Sequence, residues 1–282
     1  MPTYHEALKI NEQYAIDNQK EPSAIKILLL HFTKLKSAQL IDRLHDEMDH
    51  RTYLHFLKAV DQYVIKNRPI QHITETEYFF GYRFTVNHQV LIPRFETEEL
   101  VAYTLDLKKT VFKDKAVSLL DLGTGSGCLA ITLSLEDPSI KAEGSDISQE
   151  AIEIAQHNAT NLSANVVFHQ GDLFKPLTGK KYDILISNPP YIPNGEKLEP
   201  IIKDFEPHIA LYGGEDGLDY YRAIIKQAEH YLNNTYIIAF EHAYDKAKAI
   251  KKLAKKYLKG VRIIQKQDMQ GKDRMTFIVK NA

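Results

Sequence analysis

Apolar residues early in the chain recur every three or four positions, as one face of an α-helix requires: Ile25, Leu28, Leu29, Phe32 and Leu35, then Tyr53, Phe56, Leu57, Val60, Tyr63 and Val64. Pro69 stops the last of these runs, because proline has no N–H to donate and forces the preceding residue out of helical geometry. The pattern predicts four helices, near 3–17, 22–36, 38–48 and 51–67. That is enough for a small bundle and too little for a catalytic domain, so residues 1–68 are expected to form a substrate-recognition module. From 70 to 92 the pattern turns to aromatic and β-branched residues around Gly81, in EYFFGYRFTVNHQVLI, which predicts a β-hairpin linker over 69–92.

Beyond Thr97 strand-like and helix-like stretches alternate. Helices are predicted at 97–109, 127–136, 149–160, 216–231 and 244–258, and strands at 117–122, 140–146, 165–170, 182–187, 235–241, 261–267 and 274–280. Such alternation predicts an α/β fold over 93–282: a Rossmann-like, mostly parallel sheet with helices on both faces and ligands bound at the carboxyl ends of its strands.

The composition narrows the class. With 282 residues, 44% hydrophobic and 26% charged, the chain is an ordinary globular protein, and no run nears the roughly 18 apolar residues of a membrane span. A charged N-terminus and a single cysteine, Cys128, predict a reducing, cytoplasmic setting, with Cys128 a small core residue. A net charge of −1 argues against coating nucleic acid by bulk electrostatics. Charge is uneven, however: from Glu241 onward there are 12 Lys or Arg against 4 Asp or Glu. Lys246, Lys248, Lys251, Lys252, Lys255, Lys256 and Lys259 read as a solvated helix face, or else as a docking surface for an acidic or ribonucleoprotein partner.

The candidate chemistry lies just after the predicted strands. VSLLDLGTGSG over 117–127 is an apolar strand entering three alternate glycines, Gly123, Gly125 and Gly127, with Thr124 and Ser126 between them. Glycine lets backbone approach a bound nucleoside closely. A dinucleotide enzyme is one rival, but its G-x-G-x-x-G spacing fits poorly where Cys128 follows Gly127 directly. Asp146 closes the next strand, where a carboxylate can accept ribose hydroxyls. Asp172 follows the third, where it can accept from an adenine amino group with Leu173 packed on the ring. Singly, each acid also reads as a turn or helix cap.

After the fourth strand comes Asn188-Pro189-Pro190-Tyr191. Two prolines fix the chain there, so that the Asn188 carboxamide oxygen and the Pro189 carbonyl form two acceptors matched to a planar NH2 group, with Tyr191 as an aromatic face. The 12 His show no metal-binding HExxH spacing.

Together these residues resemble the class I S-adenosylmethionine-dependent methyltransferases that act on planar amino groups. The segments IPRFETEEL (92–100), DLGTGSGCLAI (121–131), SNPPYI (187–192), FEPHIALYGGEDGLDYYRAI (205–224) and GKDRMTFIV (271–279), with RPIQHITETEYFFGYRFTVN as a linker hairpin, resemble the release factor glutamine methyltransferases over residues from about 68 to 280. The resemblance implies S-adenosyl-L-methionine as cofactor, S-adenosyl-L-homocysteine as its product, and peptide chain release factors as protein substrates, methylated on the glutamine of a Gly-Gly-Gln motif. It implies no membrane and no direct nucleic acid substrate. Phe95 stands where that family usually has Pro, and Ala243 and Lys246 where it has Gly and Gln, so Arg94, Glu96 and Glu98 read equally well as pinning the linker to the sheet. An adenine-N6 or cytosine-N4 nucleic acid methyltransferase, favoured by NPPY and the basic tail, and a non-enzymatic nucleoside-binding protein are the alternatives.

Overall fold

The computed structural model describes residues 1–281. The chain divides into two units: Met1–Thr76 with Pro200–Phe205, and Glu77–Glu199 with the residues from Glu206 on. In the first unit, α1 (Tyr4–Asp17), α2 (Ser23–Thr33), α3 (Ser37–Asp42), α4 (His50–Val64) and α5 (Ile70–Thr74) enclose a core of Ala7, Ala15, Ile25, Leu28, Phe56 and Val60. Thr3 caps α1 by accepting from the Glu6 N–H while the Glu6 carboxylate accepts from the Thr3 N–H, the reciprocal pair that satisfies two orphan donors of a helix start. The third helix is shorter than its predicted 38–48. Beyond Asp42 the backbone pairs with the N-terminus instead, Tyr4 and His5 donating to the Asp46 and Leu44 carbonyls and Met48 to that of Pro2. Residues 70–74 likewise form a helical turn rather than the start of the hairpin.

The second unit begins with the hairpin, β1 (Thr76–Phe79) and β2 (Tyr82–Thr85), followed by α6 (Phe95–Phe112), β3 (Val117–Leu122), α7 (Cys128–Glu136), β4 (Ile140–Asp146), α8 (Gln149–Asn161), β5 (Val166–Gln170) and β6 (Tyr182–Ser187). After α9 (Pro200–Phe205), which groups with the first unit, come α10 (Asp219–Tyr231), β7 (Leu232–Glu241), α11 (Ala247–Tyr257), β8 (Arg262–Gln267) and β9 (Asp273–Lys280). The sheet order is β5-β4-β3-β6-β7-β9-β8, parallel through β7, with β9 antiparallel to both its neighbours.

Alternate residues of each strand face opposite sides. Leu119, Ile184, Ile186, Ile237 and Ala239 enter the core under α6, α7 and α8, whereas Leu120, Leu122, Leu185, Ile238 and Phe240 enter the core under α10 and α11. Strands buried on both faces need continuous apolar runs, which YDILIS and YIIAF supply. On α11, Lys248, Lys252, Lys255 and Lys256 are exposed, but Lys246 is mostly buried and pairs with Asp245 at 2.7 Å, so it leaves the basic face. Among the described residues, no helix is long and apolar enough to cross a membrane.

Candidate active site

Where β3, β4 and β6 end, the second unit opens a cleft, placed as ligand sites of open α/β sheets are, outside the carboxyl ends of the strands. Its floor is the loop after β3. Gly123, Gly125 and Gly127 all have positive φ, and a Cβ on Gly123 or Gly125 would meet nothing within 4 Å, so both present bare backbone to open space. At Gly127 a Cβ would fall 2.8 Å from Ile131 Cδ1 and 3.1 Å from Ala155 Cβ, so glycine there also allows α7 and α8 to close together. Asn158, 1% exposed, fixes the surroundings: its side chain bonds the Thr85 N–H and carbonyl and donates to the Ser126 carbonyl, joining hairpin, glycine loop and α8. Thr124 lines the cleft, but its hydroxyl donates to buried Asp121 at 2.6 Å. Burial pushes the Asp121 carboxyl up to about 7 against that hydrogen bond, helped by the nearby Asp146.

Asp146 is held from two sides, accepting at 2.9 Å from the Gly125 N–H and at 3.0 Å from the Ser148 N–H. A carboxylate has about four lone-pair sites, so two remain for a ligand. Burial raises its pKa, opposed by those N–H groups. Asp172 and Leu173 also line the cleft. Asp172 is half exposed, with one oxygen taken by Lys175 at 2.8 Å. Leu173 is left-handed, φ 47°, and its carbonyl accepts from Ser145 Oγ at 3.2 Å. A leucine pays strain for that conformation, and such outliers concentrate where a ligand site fixes the backbone.

Beyond the neighbouring strand β6, Asn188, Pro189 and Pro190 line the cleft, as do Thr97, Pro93, Pro207, Ile209 and Tyr220. The chain after NPPY is pinned by the segment 211–214: Ile192 donates to the Leu211 carbonyl, Gly213 to that of Ile192, and Asn194 to that of Gly214. That pairing turns Tyr191 into the protein. Half-buried against the α10 side of the core, it does not line the cleft among the described residues, contrary to its expected place as an aromatic face for the substrate. Burial, followed by the charge of Glu241, raises its phenol well above the usual range.

Asn188 Nδ2 donates to Thr97 Oγ1 at 3.3 Å, and Thr97 Oγ1 donates to Glu241 Oε2 at 2.6 Å. Glu241, 2% exposed, is pushed up to about 7 chiefly by burial, against hydrogen bonding from Thr97. Neither Thr97 nor Glu241 was singled out from the sequence, since 144 positions separate them, although Thr97 lies within IPRFETEEL and Glu241 directly follows the apolar run YIIAF. The flanking charges have structural partners. Arg94 pairs with buried Glu206, while Glu98 accepts from the Phe80 N–H at 2.8 Å and so pins the hairpin.

Residues 99–206 match the methyltransferase small domain. The release factor glutamine methyltransferase of Bacillus cereus is 38% identical over 277 residues, 97% of this chain and 98% of that protein. That of Bacillus subtilis (strain 168) is 38% identical over 279 residues, 97% and 96% of the two chains. Among solved structures, a methyltransferase from Pyrococcus furiosus superposes with a TM-score of 0.53 at 17% identity, covering 83% of this chain and 100% of its own. The T. thermophilus 16S rRNA methyltransferase RsmC, in complex with AdoMet and guanosine, gives 0.50 at 14%, covering 73% and 50%. These two likenesses describe the fold.

Proposed function

Because the chain belongs to the family of release factor glutamine methyltransferases, we infer that its cleft transfers a methyl group from S-adenosyl-L-methionine to the side-chain amide nitrogen of the glutamine in the Gly-Gly-Gln motif of peptide chain release factors. The observation that carries the chemistry is the Asn188 carboxamide, which lines the same cleft as the bare glycine backbone and has its NH2 end tied to Thr97.

The site fits the cofactor. Gly123 and Gly125 leave room for a nucleoside, Asp146 keeps lone pairs for ribose hydroxyls, and Asp172 and Leu173 border the place for an adenine ring. When bound, S-adenosyl-L-methionine supplies an electrophilic methyl group. The protein's own residues meet the difficulty on the other side, which is that an amide nitrogen is a poor nucleophile. With Asn188 and the Pro189 carbonyl accepting from its two N–H bonds, the nitrogen is oriented for attack, and orientation alone contributes up to roughly 7–11 kcal/mol in favourable intramolecular cases. Acceptors that strengthen as the nitrogen becomes positive stabilise the transition state more than the ground state. The methylated nitrogen is acidic enough to lose its proton to water, so no general base is required.

We assign protein recognition to the first unit, which contributes none of the cleft-lining residues and exposes Ile10, Ile16, Ile27 and Leu54. The experiment that tests the function is incubation of the chain with isotope-labelled S-adenosyl-L-methionine and a purified release factor, with peptide mass spectrometry. Label on the Gly-Gly-Gln glutamine, and none when that residue is replaced, is the expected result. A release factor left unlabelled, or labelled at residues other than that glutamine, would sink it.

A further inference from the structure

Three elements meet behind the amide clamp. Ser187 on β6 pairs with Phe240 on β7, so the next residues out, Asn188 and Glu241, share the face of Ile186 and Ala239. Over that face lies α6, whose third residue, Thr97, is 2% exposed. The Thr97 hydroxyl has a single proton, which goes to the Glu241 carboxylate at 2.6 Å. Towards Asn188, at 3.3 Å, it can therefore only accept. A carboxamide tied inward by its NH2 presents its oxygen outward. The two ends of a carboxamide have nearly the same shape, so packing does not distinguish one orientation from the other. Hydrogen bonding does.

We propose that Thr97 and Glu241 are positioning residues for methyl transfer: their buried chain of hydrogen bonds selects the orientation of Asn188 in which the carboxamide oxygen, and not the NH2 group, faces the substrate nitrogen. The proposal rests on the glutamine methyltransferase reading, in which that oxygen accepts from the substrate NH2. An inverted Asn188 would set donor against donor. Once ionised, Glu241 serves as the terminus because a carboxylate is acceptor-only, which fixes the direction of every bond along the chain.

Thr97→Val keeps the shape and removes both donor and acceptor, whereas Thr97→Ser keeps the hydroxyl. With a Gly-Gly-Gln protein, the single-turnover rate of Thr97→Val should fall about tenfold to a hundredfold, as expected for misplacing a positioning group, with cofactor affinity nearly unchanged. Thr97→Ser should recover to within about threefold of the wild-type rate. In parallel, 15N-edited spectra of the full chain without cofactor would follow the Asn188 side-chain NH2, assigned by its disappearance in Asn188→Ala. These signals should shift and exchange faster with solvent in Thr97→Val and stay in place in Thr97→Ser. Unchanged Asn188 signals in Thr97→Val overturn the proposal, and so does a Thr97→Ser as slow as Thr97→Val. If the wild-type chain methylates no Gly-Gly-Gln protein, the functional reading fails, while the amide spectra still decide the hydrogen-bond chain.

Discussion

Gly213 lies so close to Pro190 that a Cβ at position 213 would sit 2.4 Å from the Pro190 carbonyl oxygen. Its φ is unexceptional, so the requirement for glycine is one of space. Gly217 stands in the same relation to Tyr191, where a Cβ would fall 2.2 Å from the carbonyl oxygen. Two glycines of LYGGEDG thus pack directly on the backbone of the amide clamp.

Gly213→Ala should therefore displace Pro190, because backbone on both sides cannot yield as a flexible side chain would. Overpacking of this kind costs about 1–3 kcal/mol of stability. Thermal melting and single-turnover methylation should both suffer, with cofactor affinity close to wild type. A normal rate in the folded variant would show that the clamp tolerates movement at Pro190.

Asp146→Ala should weaken cofactor binding by more than a lost ribose contact alone, since the same carboxylate holds the Gly125 and Ser148 N–H groups. Hydrogen bonds to a charged acceptor contribute roughly 1.5–3 kcal/mol each, so a loss of at least about tenfold in affinity is expected. Calorimetric titration measures it. Unchanged affinity in a folded mutant would mean that the ribose lies elsewhere.

Asn188→Ala should lower turnover by roughly a hundredfold to a thousandfold, about 2.7–4 kcal/mol, by analogy with removal of a transition-state hydrogen-bond partner. Cofactor affinity should change much less. A near wild-type single-turnover rate would demote NPPY to a structural turn.

Stability and activity should respond oppositely to pH around Glu241. Its carboxyl rises from the usual 4.5 to about 7, mainly through burial. Between those values the folded protein keeps a proton that the unfolded chain has lost, so stability falls as pH rises through the window, by at most about 1.4 kcal/mol per pH unit for each such group. Asp121, raised to about 7 by burial, adds to the same trend. Methyl transfer should instead fall as pH drops below about 7, since protonated Glu241 can donate to Thr97 and no longer dictates the direction of the bonds. The groups acting on Glu241 are Arg274 on β9, Glu96 on α6, and Asn188 and Thr97, with the Tyr191 and Tyr221 phenols and Cys128 also within its influence. Glu241→Gln should make the fall of the melting temperature between pH 5 and 8 less steep, leaving the part that Asp121 contributes. A mutant whose melting temperature keeps the full wild-type slope would assign the proton elsewhere.

Ile10→Glu and Ile27→Glu, at side chains 60% and 51% exposed, should leave stability within about 0.5 kcal/mol. If the first unit recognises the release factor, they should raise the KM for the intact protein severalfold and leave that for a short Gly-Gly-Gln peptide alone. An equal effect on both substrates would separate recognition from this surface.

The parts that were readable from sequence are those whose cause is local. The sheet core was legible because YDILIS and YIIAF are apolar without a break, and the glycine loop because its conformation is a property of its own residues. Residues 192–217 were not. Their order comes from Ile192 pairing with Leu211 and Gly213, a bridge between segments with no periodicity of their own. Helix α3 was overextended for a similar reason, since residues 44–48 exchange helical bonds for pairing with residues 2–5. The Thr97–Glu241 contact depends on strand register and on which face of β7 is covered, neither of which a single sequence displays.

Helix α9 belongs with Met1–Thr76, although both its covalent neighbours belong to the second unit. Recombination between relatives must respect that division. A chimera that exchanged residues 1–76 alone would combine one parent's bundle with the other parent's α9, and their fit would depend on two sequences that were never selected together. If the first unit recognises the release factor, carrying substrate preference from one relative to another calls for two crossover windows, one ending near Thr76 and one spanning Pro200–Phe205.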